Sequence, residues 1–203
     1  MAVSVALKRF LEGARVKYAV AKHPPVYTAQ EIAAAQHVSG RQLAKSVLVK
    51  TNQGVVLAVL PAVARVNLGA LKRALRATQA TIAKETDIRK AFPDLEVGAM
   101  SPFGQLYQVP VILDTALEAA GDIVFNAGSH TDTIRMACRD VIRLTGAKTA
   151  SFTEPFPGAA PKKTRAGKRP AKKPKATRAA AKKRPAPKTR KPTKRPARRA
   201  KRR

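Results

Sequence analysis

The sequence predicts an α+β protein with a sheet of mixed strand direction, followed by a long basic tail. Three observations carry this prediction. Apolar runs of strand length and of helical spacing alternate irregularly, with no repeating strand–helix–strand unit. Turns rich in Asn, Gly and Pro separate them. Charge is segregated: 22 of the 41 Lys and Arg residues fall within 161–203, where there is no acid, and all 12 Asp and Glu residues precede that stretch. The first part is long enough for one sizeable core, so the expected organisation is a domain over 1–155 and a tail over 156–203.

Ser4–Gly13 has helical spacing, with Val5, Leu7 and Leu11 apolar and Gly13 as a stop. Val16–Ala21 reads as a strand broken by His23-Pro24-Pro25. Thr28-Ala29-Gln30-Glu31 forms a capping box that starts a helix through Ala35, and Val38–Arg41 is a turn. Leu43–Thr51 and Val55–Leu60, joined by Asn52-Gln53-Gly54, make a hairpin. Asn67 caps a helix over Leu68–Arg76, and Thr81–Ala83 is a short strand. Thr86 or Asp87 caps a turn of helix that ends at Phe92, before Pro93. Glu96–Gly104 is a shaped loop holding Gly98, Pro102 and Gly104. Val109–Asp114 and Asp122–Asn126 are strands. Ser129, Thr131 and Asp132 are rival caps for a helix through Met136, and Val141–Leu144 is a last strand.

The tail is mainly Lys, Arg, Pro, Ala and Thr, with no Leu, Ile, Val or aromatic residue beyond residue 160. No core can form there to offset ordering entropy, and seven prolines prevent a continuous helix, so the tail is expected to be disordered. Its charge density suits a polyanion, bound through counterion release with little sequence reading. Its composition resembles that of bacterial histone-like extensions, which points to nucleic acid without choosing among tRNA, rRNA and DNA. No apolar anchor accompanies the charge, and no apolar run reaches the roughly 20 residues of a membrane span. The one cysteine, Cys138, excludes an internal disulfide. With no signal-like apolar core at the N-terminus, the expected setting is the cytoplasm. Tryptophan is absent and aromatics are few, against a stacking-rich single-strand binder.

His23, His37 and His130 have no metal-ligand spacing, and no glycine-rich phosphate loop is present, so neither a metal nor a cofactor is expected. Ser129-His130 are neighbours, but nothing resembles a nucleophile elbow, which disfavours a hydrolase triad. Cys138 reads as a buried, inert thiol at the end of an apolar helix face. Lys45 stands apart, in the otherwise apolar run Leu43-Ala44-Lys45-Ser46-Val47-Leu48-Val49. Either the side chain snorkels from a half-buried strand, or its ammonium points into a cleft toward a carboxyl, carbonyl or phosphate group.

His23-Pro24-Pro25 with Tyr27-Thr28, then Leu43-Ala44-Lys45-Ser46, resembles the YbaK/EbsC family of aminoacyl-tRNA deacylases, the prolyl-tRNA synthetase-associated editing domains. Glu96–Gly104 is similar to that family's Gly-x-x-x-Pro loop, Val111–Asp114 to its following strand, and Ile123–His130 to the strand and glycine turn that close its pocket. The resemblance spans about residues 3–153 and misses the tail. It implies a barrel-like mixed sheet, a pocket for the aminoacyl end of tRNA, and hydrolysis of a wrongly attached amino acid. The family's essential lysine falls on Lys45, its substrate-positioning loop on Gly98 and Pro102, and its glycine turn on Asn126, Gly128, Ser129 and His130. Thr28 and Ser46 fall near its pocket wall.

An aminoacyl ester is already activated, so a positioned water, or one oriented by the terminal ribose hydroxyl, suffices as nucleophile. Backbone amides of the Gly98–Pro102 loop would receive the developing oxyanion, and Lys45 would anchor the terminal phosphate or the carbonyl. The expected partner is mischarged aminoacyl-tRNA, carrying Ala, Ser, Thr, Cys or Pro. The alternative is a protein of the same fold that has lost catalysis and binds tRNA or DNA through its tail.

Overall fold

The computed structural model describes residues 3–25 and 28–155. The tail expected over 156–203 lies outside the described residues, as does Tyr27. Helix α1 (Val5–Ala14) buries Leu7 and Leu11. It runs through Gly13, and Arg15 takes the left-handed cap conformation at φ 52° in place of the expected glycine stop. Strand β1 (Tyr18–Lys22) follows, a residue or two later than expected. Helix α2 (Ala29–Ala35) starts on the expected capping box: the Thr28 hydroxyl accepts from the Glu31 amide, and the Glu31 carboxylate accepts from the Thr28 amide.

The hairpin of β2 (Ala44–Thr51) and β3 (Gly54–Pro61) turns at Asn52-Gln53, with Thr51 opposite Gly54. Gly54 has φ 115°, a value that side chains rarely adopt. Strand β4 (Ala64–Val66) leads into helix α3 (Leu68–Leu75), where the Asn67 side chain accepts from the Ala70 amide at 2.9 Å. Strand β5 (Ala80–Ile82) and helix α4 (Glu85–Ala91) follow. Asp87 lies inside α4, its carboxylate accepting from the Lys84 amide at 3.1 Å, so the helix begins before the expected caps. A 3-10 turn, η1 (Gly104–Tyr107), precedes β6 (Val111–Asp114), and α5 (Thr115–Glu118) separates that strand from β7 (Asp122–Asn126).

Two expectations fail in the last third. Asp132–Ala137 is strand β8, where a helix was expected, and Cys138–Thr145 is helix α6, where Val141–Leu144 was expected as a strand. The hydroxyls of Ser129 and Thr131 donate to the Asp132 carboxylate at 2.9 and 2.7 Å and close a turn, so they cap no helix amides. Buried Ile134 and Met136 alternate with exposed Arg135, a strand period. In α6, Cys138 and Val141 share a buried helical face, and Gly146 caps the helix at φ 62°. Strands β9 (Lys148–Ala150) and β10 (Thr153–Pro155) complete the described chain.

The sheet of mixed direction has strand order β5-β2-β3-β6-β9, with β3, β6 and β9 mutually parallel and β2 antiparallel to its neighbours. It is buried on both faces. Leu48, Leu57, Val59 and Leu113 enter the larger core, while Val49, Ala58, Leu60 and Ile112 pack with Leu71 and Phe152. This explains why β3 is apolar without alternation. A second sheet, β1-β8-β7, is antiparallel, and β4 pairs with β10. Leu43 bridges to Val124, and the Val124 amide donates to Gln42 O at 2.9 Å, so the start of β2 is fastened to β7.

Candidate active site

That junction creates a cleft of about 210 Å³ lined by Ile32, Leu43, Ala44, Lys45, Ser46, Gly98, Met100 and Asn126. Its floor is apolar because Ile32, Leu43, Ala62 and Val124 form a small core of their own where α2, β2 and β7 meet. Lys45 is half-buried, and its ammonium donates to Ala62 O at 3.3 Å. Burial lowers its pKa from the ordinary lysine value. The amine therefore stands at a cleft, not extended into solvent.

The opposite wall is made by two glycine turns fastened to each other. The Glu96 amide donates to Gly128 O at 3.0 Å, and the Gly128 amide to Ala99 O at 3.1 Å. The Glu96 carboxylate accepts from the His130 amide at 2.8 Å, and the His130 ring lies 3.0 Å from Val97 O through Nε2. Gly98 and Gly128 both have positive φ, 89° and 105°, so each turn needs a residue that tolerates this backbone. The Ala99 amide is taken by Glu96 O at 2.9 Å. The Gly98 and Met100 amides bond to no acceptor among the described residues. Asn126 Oδ1 is likewise buried without a hydrogen-bond partner among them.

Of the residues singled out in the sequence, Lys45, Ser46, Gly98 and Asn126 meet in this cleft. Gly128 and His130 brace it from behind. Pro102 is buried in the loop beyond Met100 and, lacking an N–H, donates nothing. Ser129 is buried, its hydroxyl bonded to Asp132. The Thr28 hydroxyl is used as the cap of α2, one turn before Ile32. Sequence reasoning missed Ile32, Met100 and Glu96 as site residues. Their sole signal was adjacency to the glycine loop or to the capping box. Cys138 lies outside the cleft, as the first residue of α6 and not at the close of the helix expected before it, and burial followed by the Glu118 charge pushes its thiol up to about 11. Among the described residues, no three His, Cys, Asp or Glu side chains converge as a metal site would require.

The model of the aminoacyl-tRNA editing domain family matches residues 23–144, which contain the whole cleft. The chain belongs to this family. Among solved structures, the editing domain is similar to a candidate trans-editing enzyme for prolyl tRNA synthetase, at 24% identity and TM-score 0.66, over 75% of this chain and 99% of that one. It is also similar to the hypothetical protein APE2540, at 20% identity and TM-score 0.68, over 73% of this chain and 99% of that one. At these identities the likeness shows the fold. A search of curated proteins finds no match. Among the described residues, no helix is long and apolar enough to cross a membrane.

Proposed function

We propose that this editing domain hydrolyses the ester of mischarged aminoacyl-tRNA in trans, with the basic tail adding affinity for RNA. The observation that carries this reading is convergence. Lys45, Gly98, Met100 and Asn126 line a single small cleft, and the Asn126 amide oxygen is buried without a partner among the described residues. A buried acceptor without a donor is costly unless a ligand supplies one, and the α-ammonium of an aminoacyl ester is such a donor. Asn126 Oδ1 would receive it. Lys45 would hold the terminal phosphate or the ester carbonyl, and the Gly98 and Met100 amides would receive the oxyanion as water adds to the carbonyl carbon. The tetrahedral intermediate then expels the ribose oxygen, which takes up a proton, leaving a free amino acid and intact tRNA. A well-placed donor in such a site accounts for about 3 kcal/mol of the barrier. No protein nucleophile is required, which agrees with the missing triad.

The cleft is smaller than the roughly 300–1,000 Å³ of typical ligand pockets, so it suits an aminoacyl group with a small side chain. Ala, Ser, Thr, Cys and Pro esters all remain in that class, because one methylene changes binding by only about 1–3 kcal/mol.

The test is a panel of mischarged tRNAs incubated with wild type and Lys45→Ala. Wild type should release at least one small amino acid, and Lys45→Ala should slow that release by about 100-fold or more while remaining folded. The 22 cations beyond residue 160 favour a second reading, a nucleic-acid binder without catalysis. Absence of hydrolysis by wild type on every tRNA in the panel would select it.

A further inference from the structure

A second concavity lies at the other end of β7 from Asn126. It has a volume of about 580 Å³, and Arg15, Lys17, Arg135, Arg139 and Arg143 line it beside Asp122 and Asp140. All five cations are exposed. Among the described residues only Arg143 of the five is in an ion pair, with Asp140 at 3.2 Å. The groove thus gathers five of the nineteen Lys and Arg residues that precede the tail. Four of the five are arginines, whose planar fork matches phosphate oxygens in pairs.

Strand register connects this groove to the cleft. Arg135 lies opposite Val124 on β7 and opposite Ala19 on β1. Cross-strand partners present their side chains on one face, and residues two apart on a strand share that face. Asn126 is two residues beyond Val124, so Arg135 and Asn126 look out from the same face of the sheet. They are separated along the strand by about 7 Å. The cleft and the groove therefore lie toward opposite ends of β7, with Val124 and Thr133 buried between them.

We propose that this groove is the docking surface for the phosphate backbone of the tRNA acceptor end. The proposal rests on the reading that the cleft holds the aminoacyl ester. With the esterified ribose beside Lys45, the preceding phosphates pass outside the buried Val124 and reach Arg135, Arg139 and Arg143. Such contacts position the RNA and read no bases.

The experiment compares three full-length proteins: wild type, Arg135→Gln/Arg139→Gln, and a control that loses equal charge, Arg73→Gln/Arg76→Gln. The control pair is exposed at the end of α3, where Gln53 Nε2 donates to Arg76 O at 3.2 Å, beside the hairpin turn and away from Lys45. The tail is identical in all three, so its contribution cancels. The groove variant should lower kcat/KM for mischarged tRNA about 10-fold with kcat at saturation unchanged. It should also reduce the salt slope of tRNA affinity by about 2, one for each arginine removed from a phosphate. The control should stay within about twofold of wild type. Equal losses in the groove variant and the control would overturn the proposal. So would an equal loss of affinity for duplex DNA, which would reveal general attraction to polyanions. If wild type hydrolyses no tRNA in the panel, the catalytic reading fails, and affinity for uncharged tRNA still decides the groove by the same comparison.

Discussion

Lys45 is placed where two demands conflict. Burial disfavours its charged form, and the proposed chemistry needs that form. The sign follows from the lowered pKa. Below the folded-state pKa the buried ammonium weakens the fold, and that penalty is relieved as the pH rises through this value toward the unfolded one. Activity runs the other way, because a deprotonated amine no longer anchors an anion or polarises a carbonyl. After subtraction of spontaneous ester hydrolysis, kcat/KM should therefore fall on an alkaline limb centred below the ordinary lysine pKa of about 10.4. Lys45→Arg keeps its charge to much higher pH, so any activity it retains should show that limb displaced upward. A limb at the same pH in both proteins would assign it to another group. Asn126 complements this picture: its buried oxygen lacks a donor among the described residues, which the proposed cationic ligand would supply.

At the scale of elements, the two glycine turns behave as one wall, yet they should respond differently to a methyl group. A Cβ on Gly98 would sit 3.5 Å from His130 Cε1, an ordinary contact, so Gly98→Ala pays only for a left-handed backbone at φ 89°, about 1–2 kcal/mol. A Cβ on Gly128 would lie 2.8 Å from Leu95 Cδ2 and 3.3 Å from Ser4 Cβ, in addition to a φ of 105°. Overpacking there adds about 1–3 kcal/mol. Urea unfolding should rank Gly128→Ala as the less stable of the two. In deacylation at saturating substrate, Gly98→Ala should lose more than its modest instability explains, because it would reshape the loop whose amides are proposed to receive the oxyanion. Equal stabilities would show that the Leu95 side chain moves aside. The fastening of these turns to β7 and of β7 to Leu43 keeps this wall opposite Lys45.

At the scale of the whole molecule, two kinds of electrostatics are at work. The domain carries a localised groove, whereas the tail carries 22 of the 41 cations without an acid. The tail's proposed attraction to RNA would arise from counterion release and should be steep in salt. Ending the chain after Pro155 should weaken tRNA binding at low salt about 10-fold or more and flatten its salt dependence, with the rate at saturating mischarged tRNA unchanged. Filter binding across a salt series, together with single-turnover deacylation, checks both halves. Unchanged binding at low salt would remove the tail from RNA recognition.

Local chemistry was legible where neighbours in the chain settle the outcome. The Thr28–Glu31 capping box, the Asn67 cap and the hairpin over Asn52-Gln53 are short-range bonds written in adjacent residues. The mixed strand direction also followed from the irregular order of elements. Lys45 could be singled out because a charge interrupts an apolar strand. The segment after Gly128 was misread because Ser129, Thr131 and Asp132 have the chemistry of helix caps. Only pairing of Asp132–Ala137 with β1 and β7, more than a hundred residues away in the first case, makes it a strand. Likewise, Arg135 and Asn126 share a face because of strand register, and Gly98 meets Lys45 because β7 ties both walls together. By itself, the sequence determined the caps of α2 and α3, the hairpin, the charge segregation and the candidate lysine. Tertiary structure alone decided the direction of β8, the cleft and the groove, because those depend on long-range hydrogen bonds between strands that no local pattern specifies.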